Sequence, residues 1–127
     1  MRRTLLALVL PLLLVALPGC APAGSLSSAT AGVEVRAVNR NRGDVNVFAV
    51  RTGQRTRLGT VPSGQSRTFR VANVQPGTTT QLVLHVEVIG SDGAWDSPVV
   101  SIVPGYRIML AVEDLLTASN VQMQDDG

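Results

Sequence analysis

Between Val33 and about Asp114 apolar and polar residues alternate with a period of two. Val33, Val35 and Ala37 alternate with Glu34 and Arg36; Val45, Val47 and Ala49 follow Asp44 and Asn46. Leu82, Leu84, Val86 and Val88 are set off by Val83, His85 and Glu87, and Tyr106, Ile108, Leu110 and Val112 by Arg107, Met109, Ala111 and Glu113. Because successive side chains of a strand point to opposite faces, each run predicts a strand with one face in a core. Seven strands are predicted, at 33–39, 44–51, 55–61, 66–72, 80–89, 97–103 and 105–113. Between them stand Asn41-Arg42-Gly43, Thr52-Gly53-Gln54, Pro62-Ser63-Gly64-Gln65, Gln75-Pro76-Gly77, Ser91-Asp92-Gly93 and Pro104-Gly105, all with turn chemistry. No segment of this region has a helical period. The expected fold is all-β: a single seven-stranded antiparallel β-sandwich, immunoglobulin-like or prealbumin-like, with a small barrel as the other arrangement of such strands.

One register can be argued from the pattern alone. If Val61 pairs with Ser66 in a hairpin, Leu58 opposes Phe69 and Thr56 opposes Val71 on one face, while Arg57 opposes Arg70 on the other. A slip of one residue would put Phe69 in water. The faces assigned away from the core carry Phe48, Val50, Val83, Val100, Ile102, Met109 and Ala111, an apolar excess that calls for a cover if these residues cluster. After residue 114 the alternation stops. That tail either frays or packs Leu115, Leu116, Val121 and Met123 back onto the domain, and residues 125–127 are expected to be disordered.

The N-terminus is of another kind. Arg2 and Arg3 precede an apolar run of 13 residues, 5–17. As a helix the run would cover ~20 Å, short of the ~30 Å hydrocarbon core of a bilayer, so it reads as a signal peptide and not as a span. It closes on Leu17-Pro18-Gly19-Cys20, and this stretch resembles the lipobox of bacterial lipoproteins. Leu17 and Gly19 match that motif, whereas Pro18 stands where Ala, Ser or Thr is commoner. The resemblance implies cleavage before Cys20, a diacylglycerol thioether on its sulfur and, in many bacteria, a third acyl chain such as palmitate on its amino group. Two or three chains hold a protein stably on a membrane where one holds it marginally. The protein would then sit lipid-anchored in the bacterial cell envelope. Ala21 follows the cysteine in place of the Asp that retains lipoproteins at an inner membrane, which favours the outer membrane, facing the periplasm, in a Gram-negative host. The chain divides accordingly into a signal peptide (1–19), the lipidated cysteine with a small, polar tether (20–32), the β-sandwich domain (33–114) and the C-terminal tail (115–127).

Composition removes several chemistries. All 11 basic residues are arginine, so a P-loop lysine, a Schiff base and a Ser-Lys dyad are ruled out. Without the signal peptide nine arginines balance nine acidic residues, and net charge offers nothing to a nucleic acid. Cys20 is the only cysteine, so no disulfide forms within the chain. His85 and Glu87 share a strand face, but two ligands do not make a zinc site, and no Gly-x-Ser-x-Gly elbow presents a nucleophile. Asp92 and Asp96 read as part of a turn, lacking the dense acidic pattern of a calcium loop, and Trp95 reads as a cap on the core. Arg42-Gly43-Asp44 reads as a turn, although its letters match a tripeptide that animal integrins bind. No catalytic residue, metal ligand or cofactor is assigned.

One group of side chains is left. Arg51, Arg55, Arg57 and Arg70 fall on the predicted hairpin and its approach, and like charges across a ladder repel unless an anion lies over them. Glu34, Glu87 or Glu113 can supply that anion from within; otherwise these four arginines form a site for lipid phosphate or an acidic glycan. The expected function is that of a non-catalytic binding or assembly module, with the membrane through Cys20, an envelope protein and an anionic glycan or lipid as partners. Mass spectrometry of the exported protein should find a diacylglycerol thioether on Cys20 as residue one. Cys20→Ser should move the protein from the membrane to the soluble fraction, and an unmodified thiol in the wild type would exclude the anchor.

Overall fold

The computed structural model describes residues 32–74 and 79–125. The signal peptide, Cys20, most of the tether, the Gln75-Pro76-Gly77 turn and residues 126–127 lie outside them. Within the described residues the chain is all-β, with nine strands and one short 3-10 turn at Leu116–Ala118. The strands are β1 (Val33–Asn39), β2 (Val45–Arg51), β3 (Gln54–Val61), β4 (Ser66–Val71), β5 (Thr80–Val88), β6 (Ala94–Asp96), β7 (Val100–Ile102), β8 (Tyr106–Val112) and β9 (Asn120–Asp125).

The strands form two packed sheets. One is ordered β4-β1-β8-β9; in the other the order is β3-β2-β5-β6, with β7 also paired to β5. All pairings are antiparallel except one: β1 runs parallel to β8, which corrects the expectation of a wholly antiparallel fold. The count of seven also needs correction, to nine. The three residues of β6 were read as part of a turn, and β9 lies in the tail, where glutamines obscure the alternation. Asp125, expected to be disordered, ends β9 opposite Tyr106.

Between the sheets lie 17 buried apolar residues, ten of them valine. Valine suits this position because its branched β-carbon restricts χ1 and packs well on a pleated surface. The inward faces of β1, β2 and β5 are those that the alternation predicts. Val100 and Ile102 are a correction: assigned to the outer face, they are buried, and Val99 and Val103 are exposed instead. Val-Val-Ser-Ile-Val is apolar at both parities, so its pattern chooses no face. The pairing of Leu82 with Val100 and of Thr80 with Ile102 does. The expected outer apolar cluster is thereby divided, Phe48, Val50 and Val83 lying on one sheet's outer face and Met109 and Ala111 on the other's. Between β6 and β7 the ladder is completed by a side chain: the Leu84 amide donates to Ser97 Oγ at 2.9 Å.

The largest correction concerns β3 and β4, which are not a hairpin. β3 pairs with β2 and β4 with β1, so residues 62–65 carry the chain from one sheet to the other. Asn39, 1% exposed at the end of β1, accounts for the crossing. Its side-chain amide donates to Val61 O at 3.0 Å and Gly43 O at 2.9 Å, and its Oδ1 accepts from the Asn41 amide at 2.9 Å. Its backbone N–H donates to Gln65 O at 2.8 Å, and its carbonyl accepts from the Gly64 amide at 2.9 Å. The connection is thus satisfied by β1, and β4 is drawn onto β1 instead of folding back on β3.

A bulge in β3 completes the geometry. Val47 opposes Gly59, yet the next residue, Phe48, opposes Arg57, leaving Leu58 as the extra residue. Val61 therefore faces inward and Arg57 outward, although they share parity. Gly59 has φ +158°, and a Cβ there would stand 2.6 Å from the Phe69 ring. Asn39→Leu is expected to lower stability by about 2–4 kcal/mol, since it strands three polar groups at once, one on β3 and two in the loop before β2. Urea unfolding checks this, and a loss under 1 kcal/mol would mean that Asn39 does not hold the crossing.

Candidate functional site

Residues 45–86 contain five arginines and no aspartate or glutamate. This stretch supplies β2, β3, β4 and most of β5, and the fold makes β3 and β4 the neighbouring edge strands of opposite sheets. Cationic side chains that cannot enter the valine core are gathered along that open edge.

Of the five, Arg55 alone forms an ion pair with a carboxylate among the described residues. It projects from the outer face of its sheet, with its guanidinium carbon 3.8 Å from the centroid of the Phe48 ring, and it donates to Glu87. Arg51, Arg57 and Arg67 donate to neutral acceptors. Arg51 donates to Ala72 O at 3.0 Å and Asn73 O at 3.4 Å. Arg57 donates to Asn46 Oδ1 at 3.0 Å and Thr60 Oγ1 at 2.6 Å. Arg67 reaches from β4 to Thr60 O on β3 at 2.9 Å. Arg70 stands opposite Glu34, but that carboxylate is held by Arg107 through two contacts of 2.9 and 3.0 Å. Contacts with neutral oxygens orient a guanidinium without neutralising it, and each retains N–H groups for a further acceptor.

Arg51, Arg57 and Arg70 line one cleft between the two edges, about 240 Å³ in volume, together with Ala49, Leu58, Phe69 and Val71. Leu58 and Phe69 do meet, then, but across the gap between sheets and not across a ladder. Arg57 opposes Phe48, and not Arg70 as the hairpin required. The cleft falls below the ~300 Å³ at which small-molecule pockets begin, so it suits a charged group presented from outside better than an enclosed ligand. Of the four arginines singled out in the sequence, three share the cleft and Arg55 is engaged elsewhere. Arg67 was missed; the signal that would have found it is the carboxylate-free run that contains it.

A second polar cluster lies on the outer face of the sheet formed by β3, β2, β5 and β6. His85 Nδ1 is 2.5 Å from Asp96 Oδ1, and its Nε2 is 3.2 Å from Glu87 Oε1. Both contacts are hydrogen bonds only when the imidazole carries two protons, and in that state it has no lone pair for a metal or for accepting a proton. Two carboxylates converge on His85, and no set of three His, Cys, Asp or Glu side chains suited to a metal occurs among the described residues. Trp95, opposite Val86, packs against the core. In the Arg42-Gly43-Asp44 loop, Arg42 Nε lies 3.3 Å from Asp114 Oδ2 and Asp44 accepts from the Ser63 amide at 2.9 Å.

No protein-family model matches the chain, and no curated protein matches it. Among solved structures it is similar to the NMR structure of a protein from Eubacterium rectale, at 13% identity over 75% of this chain and 90% of that one, with a TM-score of 0.50. At that identity the likeness shows the fold alone: a small protein built of two packed sheets.

Glu87 offers a check on the electrostatics. The hydrogen bond from Arg55, then that from His85, holds its carboxyl below the ordinary range. Since the folded value lies below the unfolded one, the stabilisation it brings is complete above about pH 4.5 and is lost as pH falls through the folded value. In an NMR titration, Arg55→Gln should raise the Glu87 midpoint towards the ordinary range; an unmoved midpoint would show that Arg55 does not set it.

Proposed function

We propose that this chain is a lipid-anchored, non-catalytic protein of the cell envelope whose β3–β4 edge binds anionic groups. The observation that carries the binding role is the segregation of charge: Arg51, Arg57, Arg67 and Arg70 gather at one edge and none forms an ion pair among the described residues, Glu34 opposite Arg70 being held by Arg107. An arginine fork presents paired N–H donors in the plane that carboxylate, sulfate and phosphate oxygens match, and the ligand class follows from that chemistry. The lipobox-like Leu17-Pro18-Gly19-Cys20 supports the anchor. The non-catalytic reading is supported by His85, whose two ring nitrogens both face carboxylates. For the body we favour an immunoglobulin-like or prealbumin-like sandwich, the two all-β arrangements in which sheets of four and five strands such as these stack face to face.

The test is retention of the purified full chain on a sulfated polysaccharide and on anionic vesicles, with and without Arg57→Ala plus Arg70→Ala. Both residues are exposed, so the double variant should keep its strand circular dichroism. It should lose about tenfold or more in affinity for whichever polyanion the wild type binds. Wild-type binding that survives the double substitution would remove the edge from consideration.

A further inference from the structure

We infer that the arginine edge docks on the anionic head groups of the same bilayer that holds Cys20. This deepens the proposed function and rests on it. The first support is where the chain enters the domain. Gly32 lies directly beneath Arg70: a Cβ at residue 32 would stand 2.6 Å from Arg70 Nε and 2.7 Å from its Cγ. Only 12 positions separate Gly32 from Cys20. At the ~3.5 Å that a residue can span, the entry point stays within about 40 Å of the acylated cysteine however the tether runs. The corner of the sandwich from which the tether leads to the membrane is the one that carries Arg70, with Arg51 across the cleft.

The second support is where the acidic groups lie. β1 runs from Val33, just after Gly32, at one end of the sandwich to Asn39 at the other, and Asp44, Asp92, Glu113 and Asp114 occupy the loops at that far end. There Arg40 pairs with Glu113 and Arg42 with Asp114. An orientation that sets the Gly32 end of the β3–β4 edge against the membrane thus turns these four carboxylates away from lipid phosphate; at the Gly32 end itself Glu34 is held by Arg107, and Asp125 lies on β9, at the opposite edge of its sheet. Screening confines such attraction to about 8–10 Å in physiological salt, so only side chains at the contact count, and four arginines on one edge meet that condition. The third support is the cleft itself, open and of about 240 Å³, lined by Phe69 and Leu58 together with Arg51, Arg57 and Arg70. It admits a phosphodiester from above while the flanking arginines reach its neighbours.

The full chain, purified from membranes, is reconstituted into vesicles of phosphatidylcholine alone or with added phosphatidylglycerol, and backbone amide exchange is followed on β3 and β4. Exchange on these strands should slow by about tenfold or more on the anionic vesicles. Arg67→Gln with Arg70→Gln should remove most of that difference, since each basic residue close to anionic lipid is worth about a fivefold effect. High salt should remove it as well, and exchange on β9, at the far edge of its sheet, should not change. Equal exchange of β3 and β4 on both vesicles, with the acyl chains on Cys20 verified by mass spectrometry, would overturn the docking while leaving the anchor intact. Protection by a soluble sulfated glycan on neutral vesicles, with none from phosphatidylglycerol, would overturn it in favour of a glycan partner. If Cys20 proves unmodified the anchor reading fails separately, and co-sedimentation of the same chain with phosphatidylglycerol vesicles decides the docking: binding lost in the double variant upholds it, and no binding overturns it.

Discussion

The side chain of Asn39 is the interaction on which the arrangement depends. Buried polar groups must be paired, and this one amide satisfies the ends of β1, of β3 and of the loop before β2 together. Its effect is topological. With the Asn39 backbone, which pairs with Gly64 and Gln65, it fixes the end of β3 and the 62–65 connection on β1 and lets β3 close the edge of one sheet and β4 the edge of the other. Were those strands paired with each other, the two sheets would be joined along that side and no cleft would exist.

From that separation follows the fate of the arginines. Two like charges set opposite each other on a ladder repel at close range, and the hairpin would have forced this on Arg57 and Arg70. In the fold Arg57 stands beside Phe48 and Arg70 beside Glu34, so the local repulsion is avoided while both residues still line one cleft. The bulge at Leu58 contributes to the same result, because it lets Val61 enter the core without turning Arg57 inward. Bulges and charged side chains also guard an edge strand against pairing with another chain. The arginines thus serve to keep β3 and β4 solitary at the same time as they make the edge cationic.

The two polar clusters of the molecule differ in kind. On the outer face of β2 and β5, Arg55, Glu87, His85 and Asp96 contact one another in a chain, and the polar groups of the cluster face each other. On the β3–β4 edge the guanidinium groups are oriented by carbonyl, amide and hydroxyl oxygens, and the charge is left for something outside the domain. The opposite side of the sandwich is different again. There Val99 and Met123 are exposed beside an apolar groove of about 350 Å³ between β7 and β9.

The all-β class, seven of the nine strands and most of the core were legible in the chain, because a half-buried strand must repeat its apolar residues every second position. The pattern could not orient 97–103, where both parities are apolar, nor find β6 and β9, one too short and the other too polar to alternate. It named Arg51, Arg57 and Arg70 as a group, since a local surplus of cationic residues can be read from sequence. It grouped them for a mistaken reason, because hairpin proximity was the only way to bring distant residues together without knowing the sheets, and it missed Arg67, which that hairpin sets on the face of Phe69 and not of Arg70. Which strands meet depends on long-range hydrogen bonds such as those of Asn39, made across 22 positions to Val61. No local pattern encodes a partner that far away, and so the strands were written in the chain while the edge that gathers its arginines was decided by the packed sheets.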